Sequence, residues 1–468
     1  MSTPTTGKSS EAKRRPDLDT VYSINTDGSR NHLHPADVSG RWQVRLKLVW
    51  AVLIAIYAGL PWIKIGGHPA VHIDLPSRHA YLFGLTFTNQ DFFLVFFVLT
   101  GAGFALFVVT ALWGRVWCGF GCPQTVFMEG VIRQIERLIE GPRVTRIRRN
   151  QGPWNFDKVW RKTVKNVLFL AVAFLVAHIF LSYFIPVEEL FGVMGSHPAE
   201  NKLVFGWIMF FTALLFVDFA WFREQTCLIL CPYGRLQSAL IDDDTVIVGY
   251  DERRGEPRTK SKQDGGDCID CFRCVAVCPT GIDIRNGLQM ECVGCTRCID
   301  ACDDIMRKIG KPEGLVRYDS QRAFDGGRRA KLLRPRSYLY AALGLVGLIV
   351  ASVLVAGRDP FQANALRTQG MPYTLEGERV RNLFTIHLQN KQSHEITLAI
   401  SGDETAAAGI EFLIPQATVD LQPMADLEVP VFAYLSRDAF DSNFPLLLTV
   451  RDVETGESKD LKVTFRGP

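Results

Sequence analysis

The sequence lacks the features that would point at once to several common classes of function. Its 52 Lys and Arg residues nearly balance 49 Asp and Glu residues, so a net charge of +3 gives no electrostatic case for nucleic-acid binding. The first apolar run begins after more than forty mostly polar residues, which argues against a cleaved signal peptide. No cysteine follows Cys302, and the 12 in the chain are not spaced like a secreted disulfide scaffold.

Long apolar runs are present in number. A bilayer core of roughly 30 Å needs about 20 apolar residues to be crossed by a helix. Five runs meet this requirement, at residues 46–63, 92–113, 164–185, 203–222 and 338–356. A soluble protein can bury one such run as a core helix, but five together predict a membrane protein with five transmembrane helices.

The basic residues favour one orientation in the membrane. The loop after the second run contains ten Lys and Arg residues, whereas residues 66–90 contain only Arg78 and residues 186–202 only Lys202. Basic loops are retained in the cytoplasm. We therefore expect a cytoplasmic N-terminus, residues 223–337 in the cytoplasm, and the part after residue 357 outside.

Eight cysteines repeat the spacing C-x2-C-x2-C-x3-C twice, at residues 268–278 and 292–302. This is the double run of bacterial two-cluster ferredoxins, in which the fourth cysteine of each run ligates the other cluster. Applied to this chain, the ferredoxin pattern predicts two [4Fe–4S] clusters. One would be bound by Cys268, Cys271, Cys274 and Cys302, and the other by Cys292, Cys295, Cys298 and Cys278. Zinc is the alternative for any CxxC pair. Asp303 stands where the first run has Pro279, so the turn after Cys302 is expected to differ.

Two further cysteine pairs stand at predicted membrane boundaries, as Cys118-x3-Cys122-Pro and Cys227-x3-Cys231-Pro. Each follows the inner end of a predicted helix and an arginine, and each precedes an amphipathic stretch, at residues 125–139 and 233–241. The chain thus contains a weak internal repeat. Two hairpins of this kind are expected to bring four thiols to one plane.

Proline favours the first position of a helix and disfavours helical geometry in the residue before it. We therefore expect Cys122 and Cys231 at the positive end of the helix that follows, where the thiol pKa is lowered. Soft thiolates select Cu(I), zinc or an iron–sulfur cluster. The four cysteines form a candidate copper or third metal site, with four buried structural cysteines as the alternative.

Other polar candidates are weaker. Three histidines of the first external loop, His68, His72 and His79, could bind metal or haem, but ordinary surface histidines are the favoured interpretation. His178 and Asp218 lie within predicted membrane helices, where ionisable groups are candidates for function. Hydrogen bonding between helices is the alternative for both.

From Arg379 onward the hydrophobic pattern has a period of two. Short alternating runs occur at residues 383–389, 396–400, 427–433, 446–450 and 461–465, separated by Asn, Asp, Gly and Pro. This pattern predicts an immunoglobulin-like β-sandwich. It contains no catalytic pattern, so a docking or scaffolding role is expected.

The order of these motifs resembles the CcoG family, also called FixG or RdxA. The resemblance covers about residues 41–466, and its most specific part is the ferredoxin block that reads CPTGIDIRNGLQMECVGCTRC. It implies a bacterial inner-membrane accessory protein for assembly of cbb3-type cytochrome c oxidase. It also implies reduction of Cu(II) to Cu(I), with the oxidase assembly and copper-export machinery as partners and an unidentified electron donor.

The predicted fold is a multi-domain membrane protein with five transmembrane helices, a cytoplasmic ferredoxin-like α+β insert and a C-terminal immunoglobulin-like β-sandwich. Its expected domains are a cytoplasmic tail (1–44), a four-helix membrane region with the first C-x3-C-P motif (45–222), the second motif and a linker (223–258), a double 4Fe–4S ferredoxin-type domain (259–312), a linker (313–337), the fifth transmembrane helix (338–356) and a periplasmic Ig-like domain (357–468).

The expected mechanism is electron transfer from the two clusters to Cu(II) held near Cys118, Cys122, Cys227 and Cys231, which would make the protein a cupric reductase. Two other functions stay open. One is a quinol-linked electron-transfer subunit of an anaerobic respiratory system, and the other is an assembly scaffold whose clusters are only structural.

Overall fold

The computed structural model describes residues 33–76, 78–87, 91–259, 265–327, 334–357, 359–367, 371–392, 394–405, 408–423 and 425–468. Most of the expected N-terminal tail, residues 1–32, lies outside the described residues. The chain divides into two units. The first comprises Met1–Ile63 and Phe96–Val350, and the second Lys64–Val95 and Ala351–Pro468.

Five helices in the described part of the chain are long and apolar enough to cross a membrane. They have mean hydropathies between 1.6 and 2.5 and run Arg41–Trp62, Leu94–Trp113, Phe156–Leu181, Lys202–Phe222 and Pro335–Ala356. The prediction of five spans is confirmed. The third helix begins earlier than expected, because the side chain of Asn155 caps it by accepting a hydrogen bond of 2.9 Å from the N–H of Lys158.

Shorter helices follow the second, third and fourth membrane helices. After the second membrane helix come Val116–Phe120, Pro123–Phe127, the π-helical Met128–Ile132, Arg133–Glu140 and Arg143–Gln151. Val187–Gly195 lies between the third and fourth membrane helices. After the fourth membrane helix come the π-helical Thr226–Leu230 and the α-helix Pro232–Leu240.

The ferredoxin-like insert is closed by a two-stranded antiparallel ribbon that the sequence did not reveal, Val246–Tyr250 paired with Val316–Ser320. Its helices are Glu252–Gly255, Arg273–Ala276, Ile284–Asn286, Arg297–Ile309 and Gln321–Phe324. The core packs Val248, Ile299, Met306 and Leu315 around buried and partly buried cysteines.

The first membrane helix begins on this insert. The carboxylate of Asp300 accepts hydrogen bonds from the backbone N–H groups of Trp42, at 3.2 Å, and Gln43, at 2.8 Å. These N–H groups have no partner within the helix. Just upstream, the N–H of Ala36 donates to the carbonyl of Ala276 at 2.7 Å. Residues 33–40, expected to belong to the tail, therefore pack against the ferredoxin-like insert.

The second unit is mostly antiparallel β-structure. Residues 64–87 form two small sheets, one of Lys64–Ile65 and His68–Pro69 and one of Val71–Asp74, His79–Leu82 and Leu85–Phe87. The C-terminal part forms two larger sheets. One has the order Glu411–Leu413, Asp426–Ser436, Arg379–Asn390 and Phe361–Arg367, with Thr374–Glu376 also paired to Arg379–Asn390. The other has the order Thr418–Leu421, Ile396–Gly402, Phe444–Asp452 and Ser458–Phe465.

The two larger sheets share one apolar core, which confirms the predicted sandwich. In the strand Arg379–Asn390, every second side chain from Val380 onward is buried. The core includes Phe384, Ile386 and Val431 from one sheet and Leu398 and Leu448 from the other. Each of the five predicted alternating runs lies within an observed strand. The strand Phe361–Arg367 lies within the predicted Ig-like domain (357–468), but no alternating run was predicted there.

Candidate metal centres

The two ferredoxin-type runs fold into loops with the same backbone conformation. Phe272 and Thr296, at corresponding positions of the two runs, have positive φ angles of 54° and 59°. Asp270 and Gly294, also at corresponding positions, have φ angles of 54° and 67°. Non-glycine residues seldom adopt this left-handed conformation. Its recurrence at matching positions shows that the sequence repeat is a structural repeat.

The first group of thiols is formed by Cys268, Cys271, Cys274 and Cys302, which line one cavity. Burial first, and then the negative charges of Cys274, Asp303, Cys271 and Cys268, raise the pKa of the Cys302 thiol to about 12. Such coupling requires the thiols to lie close together. The structure thus brings the last cysteine of the second run to the first three cysteines of the first run.

The second group is formed by Cys292, Cys295, Cys298 and Cys278, which line another cavity. Burial first, and then the charges of Cys295, Cys292, Cys278 and Cys274, raise the pKa of the Cys298 thiol well above its ordinary value. The thiol of Cys274 lines both cavities and so lies between the two groups.

Polar groups around the second group suit a bound inorganic cluster. The backbone N–H of Gly294 donates to Cys292, and that of Arg297 donates to Cys295. The hydroxyl of Thr296 is buried, and it has no hydrogen-bond partner among the described residues. A buried hydroxyl normally has a partner. Sulfur acceptors of a cluster would supply one, so the residues present fit a [4Fe–4S] group.

Asp303 has a structural role in place of the expected proline. The helix Arg297–Ile309 continues through Cys302 and Asp303. Oδ1 of Asp303 accepts a hydrogen bond of 2.8 Å from the backbone N–H of Gly314. The turn found after Cys278 is therefore replaced by helix after Cys302, as the sequence difference suggested.

The four cysteines of the C-x3-C-P motifs also lie together. Burial raises the pKa of the Cys118 thiol to about 11, against the lowering effects of the Gln237 hydrogen bond and the Arg115 charge, and the charges of Cys122 and Cys231 raise it further. Burial, and then the charges of Cys122, Cys118 and Cys231, raise the pKa of the Cys227 thiol. The side-chain amide of Gln237 donates to Sγ of Cys118 at 3.3 Å.

The two prolines of these motifs occupy the predicted positions. Pro123 and Pro232 begin the helices Pro123–Phe127 and Pro232–Leu240, with Cys122 and Cys231 as the preceding cap residues. The expectation of a lowered thiol pKa is wrong for Cys122. Burial raises the pKa of this thiol more than the N–H groups of Thr125 and Gln124 lower it.

The first C-x3-C loop touches the second ferredoxin-type loop directly. A Cβ placed on Gly119 would lie only 2.5 Å from the carbonyl oxygen of Gly294, so the two backbones meet where no side chain fits. The guanidinium of Arg115 donates to the carbonyl of Cys292 at 3.1 Å and to that of Gly234 at 3.0 Å. Arg115 thereby ties the second C-x3-C-P motif to the same ferredoxin-type loop.

A buried network of charges lies beside these sites, and sequence reasoning missed it. Arg223 forms two hydrogen bonds with the carboxylate of Glu136, at 2.7 and 2.9 Å. Glu129 pairs with Arg133 at 2.5 Å and with Arg297 at 2.7 Å. All five side chains are at most 11% exposed. Glu129, Arg133 and Glu136 recur at i, i+4 and i+7 on the stretch after Pro123, and the face that they form is buried.

The weaker candidates do not form a metal site. His68, His72 and His79 all pack around the ring of Tyr81, with ring centroids 4.0, 5.9 and 6.4 Å from it. In the described part of the chain, no group of three or more His, Cys, Asp or Glu residues is arranged to hold a single metal ion.

The two intramembrane candidates make local polar contacts. Nδ1 of His178 lies 2.8 Å from the carbonyl oxygen of Phe174, and Nε2 lies 3.3 Å from the sulfur of Met194. Oδ1 of Asp218 accepts hydrogen bonds from the amide of Gln124, at 3.2 Å, and from the hydroxyl of Thr226.

Comparisons with known proteins agree with this architecture. A 4Fe-4S dicluster domain matches residues 222–321, a 4Fe-4S binding domain matches residues 94–142, and an Ig-like fold at the C-terminus of FixG matches residues 351–468. A crystal structure of a FixG-related protein from Vibrio parahaemolyticus covers 23% of this chain and 97% of its own at 15% identity, with a TM-score of 0.22, too low to carry an argument.

Two relatives match over most of their length. Protein RdxA of Cereibacter sphaeroides is 36% identical over 86% of this chain and 87% of its own. Nitrogen fixation protein FixG of Rhizobium meliloti is 33% identical over 87% of this chain and 86% of its own. With five membrane helices, 4Fe-4S binding domains and a FixG-type C-terminal domain, the chain belongs to the FixG and RdxA family of membrane iron–sulfur proteins.

Proposed function

We propose that this protein is a membrane reductase that carries electrons from two [4Fe–4S] clusters to Cu(II) bound at the C-x3-C-P thiols. The observation that carries the proposal is the contact between Gly119, inside the first C-x3-C motif, and Gly294, inside the second ferredoxin-type loop. Electron transfer slows steeply with distance. A backbone contact between the two loops brings the proposed copper site and the second group of cluster thiols onto touching segments.

The proposed cluster ligands are the two groups of four thiols that the fold assembles: Cys268, Cys271, Cys274 and Cys302 for one cluster, and Cys292, Cys295, Cys298 and Cys278 for the other. When bound, such clusters supply one-electron transfer. The protein holds the loops that carry these thiols in place. Arg115 fixes the second loop against both C-x3-C-P motifs, and the side chain of Gln43 donates to the carbonyl of Cys295 at 3.1 Å.

Copper suits the third group of thiols, which consists of Cys118, Cys122, Cys227 and Cys231. Thiolates are soft ligands and favour Cu(I) over Cu(II), so this group favours the reduced product. A substrate ion needs only some of these thiols at one time.

A second candidate is that these four thiols hold a third iron–sulfur cluster. The observation in its favour is the match of residues 94–142, which include Cys118 and Cys122, to a 4Fe-4S binding domain. Iron analysis separates the two, because two clusters give about eight iron atoms per chain and three give about twelve.

The cellular setting follows from the same proposal. We propose that the protein lies in the bacterial inner membrane, with its N-terminus and ferredoxin-like insert in the cytoplasm and its Ig-like domain in the periplasm. Basic residues in the loop after the second helix support this orientation. The Cu(I) produced would pass to copper-export machinery and serve assembly of cbb3-type cytochrome c oxidase, a partner suggested by membership of the family.

The test is the double variant Cys122→Ala and Cys231→Ala, assayed in membranes with Cu(II) and a chelator that traps Cu(I). We expect normal insertion and both ferredoxin-type clusters, but loss of Cu(II) reduction. Ser238→Ala, an exposed position on the helix that follows Cys231, is the matched control and should keep the parent rate. If the double variant also keeps the parent rate, these thiols are not the copper site. If its clusters vanish as well, the cysteines belong to a cluster or to the core.

A further inference from the structure

A large apolar cavity lies within the membrane region, next to the first C-x3-C-P motif. Its volume is about 480 Å³, within the range of ordinary ligand sites, roughly 300–1,000 Å³. It is formed by the first, third and fourth membrane helices together with the C-x3-C-P loop, through residues such as Ile54, Val176, Leu214 and Pro123. Nothing in the proposed function uses it.

The shape of the cavity suits a ligand with a head and a tail. One end is formed by Gly121, Pro123 and Gln124, the residues that flank Cys122 in the chain. From there the lining follows the fourth membrane helix from Phe219 back to Phe211, about 12 Å at 1.5 Å per residue. Leu214, which lines the cavity, is 55% exposed, as expected of a cavity that opens to the surface of the membrane helices.

The lining chemistry favours an aromatic, uncharged head group. Five rings contribute to it: Tyr57, Phe127, Phe180, Phe211 and Phe219. Among the residues that line it, none carries a charge. A phospholipid phosphate buried here would lack a cation, which is costly. Aromatic side chains instead offer stacking to a flat ring.

The polar end offers an acceptor to a hydroxyl group. Both N–H bonds of the Gln124 amide are used, one to Asp218 at 3.2 Å and one to the carbonyl of Arg223 at 3.1 Å. These bonds fix the amide so that its carbonyl oxygen is the atom left to accept from a ligand. The carboxylate of Asp218, which accepts one of these hydrogen bonds, is a group that can take up a proton.

We propose that this cavity binds a prenylated quinol from the membrane and that this quinol is the electron donor of the reductase. The inference rests on the proposed function. The quinol loses two electrons and two protons and becomes a quinone as both of its O–H bonds break. The two electrons reduce two Cu(II) ions to Cu(I) in succession. One proton goes to the carboxylate of Asp218 and the other to water on the side of the thiols.

The test uses the full chain in phosphatidylcholine nanodiscs and a photoreactive azido-ubiquinone with a short tail. Ile54→Trp places a large ring in the cavity, which Ile54 lines. Ile56→Trp is the matched control, because Ile56 is 50% exposed on the same helix and does not line the cavity. We expect labelling of peptides from the lining in the parent and the control. Decylubiquinone should compete with the label, palmitate should not, and Ile54→Trp should lose the labelling.

A parallel measurement separates this inference from the function on which it rests. Reduction of Cu(II) by dithionite-treated protein should be equal in the parent and in both tryptophan variants, whereas reduction driven by decylubiquinol above the protein-free background should be lost only in Ile54→Trp. The quinol site is overturned if the parent is not labelled or if labelling survives Ile54→Trp. It is also overturned if palmitate competes as well as decylubiquinone, because the cavity then holds acyl chains. Loss of dithionite-driven Cu(II) reduction in the parent itself would overturn the proposed function instead.

Discussion

The contact between the first C-x3-C loop and the second ferredoxin-type loop can be tested by adding a single methyl group. In Gly119→Ala the new Cβ would lie 2.5 Å from the carbonyl oxygen and 2.9 Å from the carbonyl carbon of Gly294. Both atoms belong to the backbone and cannot rotate away. To restore an ordinary contact of 3.4 Å the two loops must separate by about 0.9 Å.

Two opposing effects on stability decide the size of the change. Alanine favours the helix Val116–Phe120 by about 0.5–1 kcal/mol over glycine. Overpacking against a rigid backbone costs about 1–3 kcal/mol. The steric cost is larger, so we expect a net loss of about 1 kcal/mol in the free energy of unfolding. This is too small to unfold the protein but enough to move the loop.

The assay measures Cu(I) formation by dithionite-reduced protein, with iron and sulfide determined on the same sample. Gly119→Ala should keep its iron and sulfide but form Cu(I) several times more slowly than the parent. Gly101→Ala is the control, because a Cβ there meets no atom within 4 Å. A parent-like rate in Gly119→Ala would refute the claim that electrons cross at this contact. Equal slowing in Gly101→Ala would show that the effect is not specific to the contact.

Three further predictions concern the buried charges, the clusters and the topology. Glu136→Gln should lower the free energy of unfolding by about 3–5 kcal/mol, because it leaves the buried Arg223 without the carboxylate that pairs with it. Its control is Glu189→Gln at an exposed position, which should change the free energy of unfolding by less than about 0.5 kcal/mol. Cys271→Ser and Cys295→Ser should each remove one cluster's share of the iron, and unchanged iron in both would contradict the ligand assignment. A reporter that is active only outside the cytoplasm should be active when fused after Pro360, and an inactive fusion would reverse the proposed orientation.

Sequence patterns predicted those parts of the structure that depend on local spacing. The membrane helices follow from the length of apolar runs, because the bilayer sets that length. The strands follow from a period of two, because alternate side chains face the core. The grouping of Cys302 with the first ferredoxin-type run follows from the spacing of known ferredoxins and not from the residues alone.

The rest depends on partners that are distant in the sequence. The charges at Glu129 and Glu136 resemble a solvated helix face until Arg297 and Arg223 are placed against them. The pKa of Cys122 could not be predicted from its position before Pro123, because the degree of burial is set by tertiary packing. Gly119 carries no signal in a single sequence that distinguishes it from a glycine in an open loop.

The most direct test of the central claim is a single-turnover reaction with counted electrons. Protein purified without oxygen is reduced with dithionite, freed of excess reductant, and mixed with Cu(II) and a chelator that traps Cu(I). Two one-electron clusters predict about two Cu(I) ions per chain, formed as the reduced-cluster signal disappears, and almost none from the Cys122→Ala and Cys231→Ala double variant with intact clusters. Clusters that stay reduced while Cu(II) remains, or a double variant that yields as much Cu(I) as the parent, would contradict the account.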